Sequence, residues 1–325
     1  MILVISSKKV YAVKRLLQEA RVKKQELRVM DMAELVACKF MPKFKFNVLY
    51  IRDPYAKGSA KYLPQIISFA KKALKLGVRV VDANIVKGKI GEGKWKDYQI
   101  LKKVKISIPH TVIASASEAI SLIKGLPRSS GALGTRNDTN YPLSTTHYSL
   151  VLKWIYGMGG KNTFLIRSEN KFKKVLSLHP ISEWMVQEYI PADFEYKVIC
   201  VGFKALPVVL KIKFNKKTGR PEFEKYNVFF LPLDGGGEVG VTKDNQTKIS
   251  HPPLTPPVEG GELKQVITLA EKASRILGRE LSKVDILEKD GKFYVLEVNR
   301  FPGLEGFEKL TKYNVVKEFV SYLQK

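Results

Sequence analysis

Cysteine is nearly absent from this sequence: 325 residues carry two, Cys38 and Cys200. They stand far apart with no C-x-x-C spacing, which excludes a disulfide-stapled scaffold and a cysteine-rich zinc site. Long apolar runs are missing too. Ala205–Leu210, among the longest, has about six residues against the roughly 20 that span a bilayer. Met1–Ile5 is apolar, but Ser-Ser-Lys-Lys follows at once, which is too short for the apolar core of a signal peptide. A membrane or secreted protein is therefore not expected, and the cytoplasm is the expected compartment. Acids are scarce relative to bases: 31 Asp+Glu against 56 Lys+Arg leave a net charge of +25. The rest is ordinary, since 45% hydrophobic and 27% charged residues fit a globular chain and neither disorder nor fibre. A chain of this length exceeds what one core serves, so two or three packed subdomains are expected.

The basic excess asks for a partner. Lysine pairs at 8–9, 23–24, 71–72, 102–103, 173–174 and 216–217 spread along the whole chain. Solvated faces look like this, and no nucleic-acid motif accompanies the pairs. The favoured partner is an anionic small molecule or an acidic peptide or protein acceptor; nucleic acid is disfavoured, and a homo-oligomer stays open.

Strand and helix patterns alternate over roughly the first 90 residues. Met1–Ile5, Leu27–Met30, Val48–Ile51 and Val78–Val81 read as short strands. Val10, Val13, Leu17 and Ala20 have the spacing of one helix face, and Tyr62–Leu76 predicts a helix stopped by Gly77. The alternation implies a mostly parallel α/β sheet, which binds ligands at the carboxyl ends of its strands. Lys94–Val104 predicts a helix closed before Ile108-Pro109. Gly, Ser, Thr, Asn and Pro dominate Gly125–Ser149, which reads as an exposed, mobile loop. Strand signals follow at Leu150–Trp154, Thr163–Ile166, Trp184–Ile190, Tyr196–Val201 and Ala205–Phe214. A stiff proline-rich connector, His251–Gly261, leads to a helix with Leu263, Val266, Ile267, Ala270, Ala273 and Leu277 on one face. Strands come after it.

Three segments could carry chemistry. In V-L-K-W-I-Y-G-M-G-G-K, Gly157, Gly159 and Gly160 let the backbone approach a phosphate, with Lys153 and Lys161 beside them. Alone, a glycine-rich hairpin with solvated lysines explains this equally well, and the spacing is not that of a P-loop. In K-V-D-I-L-E-K-D-G-K-F-Y-V-L-E-V-N-R-F-P-G, Asp285, Glu297 and Asn299 interrupt otherwise apolar strands. Buried carboxylates need a partner or a metal, and hard oxygen ligands suit Mg²⁺. Glu297 and Asn299 share a face because they are two apart. Asp285 depends on the hairpin. A two-residue Asp290-Gly291 turn puts it opposite Leu296, on the wrong face. A three-residue Lys289-Asp290-Gly291 loop puts it opposite Val295, about 7–8 Å diagonally from Glu297 on the same face. The latter is the expectation. The third segment, M-V-Q-E-Y-I-P-A-D, reads by itself as a half-buried strand.

Taken in this order, the segments resemble the ATP-grasp superfamily, specifically its RimK-type carboxylate–amine ligases. The resemblance runs from Lys94 to the C-terminus and implies an ATP-grasp fold. Two α+β lobes would clasp ATP behind an N-terminal α/β domain, with boundaries at 1–92, 93–186 and 187–325. It implies ATP and Mg²⁺, or Mn²⁺ in its place. Lys94, in a K-x-x-x-x-Q helix with Gln99, and Lys153 would reach the nucleotide, and Gly157–Lys161 would fold over its phosphates. Glu188, Tyr189 and Ile190 would hold adenine, Asp193 would bind ribose, and Asp285, Glu297 and Asn299 would hold metal. Lys153, Lys197 and Lys211 would stabilise the transferring phosphoryl group. The family places arginines where Lys197 and Lys211 stand, and lysine keeps the charge without the bidentate fork. The chain also has Asp-Gly-Gly-Gly within Asn227–Gly237, where the family has a basic residue before paired glycines. The implied activity joins a carboxylate, glutamate-like, to an amine through an acyl phosphate, releasing ADP and phosphate. Two other readings remain open: an ATP-binding regulator without turnover, and a basic nucleic-acid-binding protein. The four histidines, His110, His147, His179 and His251, lie too far apart in sequence to suggest a catalytic set.

Overall fold

The computed structural model describes residues 1–6, 10–37, 44–52, 60–86, 94–113, 149–155, 162–231, 239–242, 260–300 and 302–325. Four short apolar runs near the N-terminus form a parallel sheet: β1 (Ile2–Ile5), β2 (Leu27–Met30), β3 (Val48–Ile51) and β4 (Arg79–Val80), in the order β2-β1-β3-β4. Both faces of β1 and β3 are covered, which is why every residue in them is buried and apolar. Leu3, Ile5, Leu49 and Ile51 pack towards α2 (Met32–Ala37) and α3 (Leu63–Lys75). Ile2, Val4, Val48 and Tyr50 face the other way, towards α1 (Tyr11–Val22). The turn after α3 is closed by Gly77 at φ 78, a left-handed position that suits glycine.

A helix, α4 (Lys94–Lys103), leads into a second, antiparallel sheet of order β5-β8-β6-β7. Its strands are β5 (Thr111–Ile113), β6 (Leu150–Trp154), β7 (Thr163–Ile166) and β8 (Trp184–Glu188), and α5 (Glu169–Leu176) adds Phe172 and Val175 to its core. β8 runs two residues past the expected boundary at 186. α4, expected in this lobe, instead packs Leu101 into the core of the third sheet.

The third sheet is antiparallel, with order β12-β11-β10-β9-β13-β14. It comprises β9 (Phe194–Val201), β10 (Lys204–Asn215), β11 (Arg220–Phe230), β12 (Val239–Thr242), β13 (Leu281–Lys289) and β14 (Lys292–Asn299). Period-two alternation gives it two unlike faces. One face, with Tyr196, Val198, Val209, Val284 and Ile286, packs on α6 (Gly260–Leu277). The opposite face, with Ile199, Val208, Leu210 and Ile212, packs on α7 (Leu304–Thr311), α8 (Val315–Leu323) and the outward face of the N-terminal sheet. Residues 2–50 and 304–323 therefore share one core. Tyr50 meets Phe319 edge to face at 5.0 Å.

A polar joint fastens the same parts. Asp82 donates its N–H to Glu280 Oε1 at 2.9 Å and accepts the Glu280 N–H at 2.5 Å, while Arg79 and Tyr322 bond the other Glu280 oxygen. Among the described residues no helix is long and apolar enough to cross a membrane.

Candidate active site

The hairpin β13–β14 resolves the register question by a route the sequence pattern did not suggest. Asp290 and Gly291 both take positive φ, 51 and 72, so the turn has two residues and Lys289 pairs with Lys292. That register alone would send Asp285 to the wrong face. A bulge at Leu296 corrects it: Ile286 still opposes Val295, but Asp285 now directly opposes Glu297. The expected three-residue loop is therefore absent, while the shared face is present. The two carboxylates are direct cross-strand neighbours, closer than the diagonal pair expected. The carbonyl of the bulged Leu296 accepts a hydrogen bond from the Tyr98 hydroxyl.

Around this pair the face is polar and largely buried. Lys197, on β9 opposite Asp285, reaches Asp285 Oδ1 at 3.3 Å and also bonds the buried Glu195. Asn299 donates to Asp285 Oδ2 at 3.1 Å, and Lys283 stands 3.6 Å from the same oxygen. Lys94 approaches Glu297 Oε1 at 3.7 Å. Lys153, from β6 of the second sheet, is only 6% exposed and lies 3.5 Å from the Tyr98 hydroxyl. Thus Lys94, Lys153 and Lys197 converge on the Asp285–Glu297 pair from three elements.

Burial sets the protonation of these groups. It pulls the Lys153 ammonium down to about 8; Glu297 opposes the fall and Lys94 adds to it. Burial alone would lower Lys197 too, but the adjoining Asp285 and Glu195 carry it above the usual lysine value. Burial raises the Tyr98 phenol well above its ordinary range, so it stays a hydrogen-bond donor.

Beside the charged groups lies an apolar cluster of Ile190, Ala192, Phe214 and Leu287, flanked by Tyr189, Tyr294 and Leu296. Tyr189 is anchored through its hydroxyl to the Lys216 carbonyl at 2.6 Å. Asp193 is partly exposed and paired with Lys216 at 2.5 Å. An apolar, aromatic-flanked cluster therefore adjoins the converging lysines and carboxylates. Glu188 does not join it. Its carboxylate accepts the His110 N–H at 3.3 Å and lines a separate cavity of about 320 Å³ with Trp95 and Gln99.

Lys211 is also elsewhere. It opposes Tyr196 across β9–β10 and shares that residue's face, whereas Lys197 opposes Leu210 on the other. Its ammonium bonds Glu262 of α6 at 2.9 Å, sits 4.2 Å from the Phe194 ring centroid, and is lowered by burial. Lys211 is thus on the far side of the sheet from Lys197 and Asp285. Gly157, Gly159, Gly160 and Lys161, and all of Gly125–Ser149 but its last residue, lie outside the described residues.

Glu195, Lys283 and Tyr98 belong to the site without having been singled out in the sequence. Each carried a signal: Glu195 and Lys283 stand two residues from Lys197 and Asp285, and Tyr98 stands one helical turn from Lys94. Among the described residues, no group of three or more His, Cys, Asp or Glu side chains gathers to hold a metal. The available donors are the Asp285 and Glu297 carboxylates and the Asn299 amide oxygen. That set suits Mg²⁺, which fills its remaining positions with phosphate oxygens and water.

Comparison with known proteins identifies the fold. Across 99% of the chain and 97% of its counterpart, the fold superposes with a TM-score of 0.63 at 13% identity on the ATP-grasp ligase PsnB, complexed with a phosphomimetic variant of its minimal precursor, Mg and ADP. D-alanine–D-alanine ligase from Bacillus anthracis superposes with a TM-score of 0.58 at 16% identity, covering 99% of this chain and 95% of that one. The fold is ATP-grasp. Residues 261–323 match the RimK-like ATP-grasp domain. A probable alpha-L-glutamate ligase of Cellvibrio japonicus (strain Ueda107) is 24% identical over 334 residues, covering 98% of this chain and 93% of the relative.

Proposed function

We propose that the chain joins an amino acid of glutamate type to an amine-bearing or carboxylate-bearing acceptor, with ATP as energy source and Mg²⁺ as metal. A carboxylate oxygen attacks the γ-phosphorus of ATP, the β–γ bridging bond breaks, and ADP leaves. An amine then attacks the acyl phosphate, loses a proton, and expels phosphate to leave an amide. No side-chain nucleophile is required.

The observation that carries this reading is the convergence of Lys94, Lys153 and Lys197 on the opposed Asp285–Glu297 pair, next to the apolar cluster at Ile190. Lys153 and Lys94 hold the nucleotide phosphates. Lys197, locked in its charged form by two carboxylates, faces the charge that develops on the transferring phosphoryl group. Ile190, Leu287 and Tyr189 bury the base, and Asp193 accepts from a ribose hydroxyl. Asp285, Glu297 and Asn299 hold Mg²⁺, which when bound neutralises phosphate oxygens and aligns them for in-line transfer. Lys211 takes no part, because it lies on the opposite face. We divide the chain at 1–92, 93–188 and 189–325, with α4 and the C-terminal helices packing across these divisions.

The test is to offer glutamate and other acids with ATP and Mg²⁺ and to trap the activated carboxylate with hydroxylamine. ADP together with hydroxamate is expected. AMP as product overturns the mechanism, and tight ATP binding without turnover on any acid replaces the ligase with a regulator.

A further inference from the structure

A second concavity lies away from the cleft, on the α6 side of the edge strand β14. It has a volume of about 790 Å³ and is walled by α6, by the Lys105–Ser107 segment and by the tip of the β13–β14 hairpin. Lys105, Lys264, Lys272 and Lys292 line it, all are exposed, and no acidic side chain does so. None of the four is ion-paired with another described residue. The two acids of α6 are engaged elsewhere, Glu262 by Lys211 and Tyr196 and Glu271 by Lys204 and the Ala205 N–H. Four unpaired ammonium groups around one groove repel each other and are complementary to a polyanion.

The backbone at this groove says what kind of anion. β14 is the last strand of its sheet. Val295 turns its N–H outward to the Ser107 carbonyl at 2.8 Å. Antiparallel alternation therefore turns both backbone groups of Phe293, two residues earlier, to the same open edge. Neither has a partner among the described residues. An exposed strand edge flanked by side-chain contacts is the template for an added extended peptide. A nucleic-acid backbone lacks the paired N–H and C=O at strand spacing that would complete that rung.

We propose that this groove docks an extended, Glu/Asp-rich peptide segment, paired with β14 at Phe293 and gripped by the four lysines. That the peptide belongs to the acceptor of the ligase rests on the function proposed above, whereas the docking itself does not. A fluorescent decaglutamate peptide, titrated by anisotropy into the full-length chain without ATP, measures the affinity. In the double variant Lys264→Glu, Lys272→Glu the affinity should fall about tenfold or more, and binding should weaken with salt, because exposed charges are screened. Melting temperature and hydroxamate formation from free glutamate should stay at wild-type values, since neither lysine touches the cleft. Amide exchange at Phe293 should slow when the peptide is bound. Unchanged affinity in the double variant overturns the groove, and unchanged exchange at Phe293 overturns the added strand. An RNA oligonucleotide that binds there more tightly than the peptide overturns the choice of partner. Peptide binding with these signatures in a chain that ligates no acid leaves the groove standing and removes the ligase reading.

Discussion

At the scale of single residues, the site is governed by which face of a strand a side chain occupies. Glu297→Gln keeps the shape of a partly exposed side chain and removes one charge from the metal-facing pair. Turnover should fall by orders of magnitude while the melting temperature holds, as steady-state ADP release and thermal denaturation would show. A variant that turns over normally removes Glu297 from the metal set. Lys153 makes a pH prediction. Its folded value of about 8 lies below the ordinary lysine value, so the ammonium deprotonates as pH rises through 8. ATP affinity should fall over that range, and calorimetry should show proton uptake on binding near pH 8. In Lys153→Met the affinity should be lower and flat across it. Asp285, Glu297 and Asn299 stood out because each interrupts an apolar strand, whereas Lys94 was proposed only through the family resemblance and Lys153 through that and the glycine loop near it. Lys211 was misplaced because a charge inside an apolar strand does not reveal which face it takes until the register with Tyr196 is known.

At the scale of elements, the bulge at Leu296 is what brings Asp285 opposite Glu297, and the Tyr98 hydroxyl holds it from α4. Tyr98→Phe leaves a buried carbonyl with one donor fewer, at a cost of about 1–3 kcal/mol. The variant should also need more Mg²⁺ for half-maximal rate than wild type, with the KM for the acid substrate little changed. A lost melting temperature with an unaltered Mg²⁺ requirement would reduce Tyr98 to a purely structural role. Sequence alone could not supply the bulge. Asp-Gly predicts the two-residue turn, the carboxylates require a common face, and reconciling them takes an extra residue that leaves no local signature. β1 and β3 were readable because fully buried strands are continuously apolar. β11 was not, since half of Arg220–Phe230 is solvated on both faces and lacks alternation. The short helices α5, α7 and α8 span eight or nine residues each and draw their stability from packing more than from propensity.

At the scale of the whole molecule, the joint at Asp82 sets a pH response. Burial raises its carboxyl from 3.8 to about 6 despite Arg300, whose Nε is 3.9 Å from Oδ2. Between these values the folded chain binds more protons than the unfolded one. This group therefore adds stability as pH falls from 7 towards 4 and withdraws it as pH rises through 6, by an amount on the order of 3 kcal/mol. Denaturant titrations of wild type and Asp82→Asn between pH 7 and 4.5 should diverge in slope, with the variant lacking the acid-side gain. Parallel slopes would show that the joint is open to solvent.

Synthesis on the ribosome meets the shared core in an awkward order. The strand faces bearing Ile2, Val4 and Tyr50 emerge long before Val316, Phe319 and Val320, which cover them. At roughly 5–20 residues per second the interval is on the order of ten seconds or more. Throughout it the nascent N-terminal domain exposes a greasy face that chaperones can grasp and neighbouring chains can stick to. A face made early is thus finished only when a much later helix arrives.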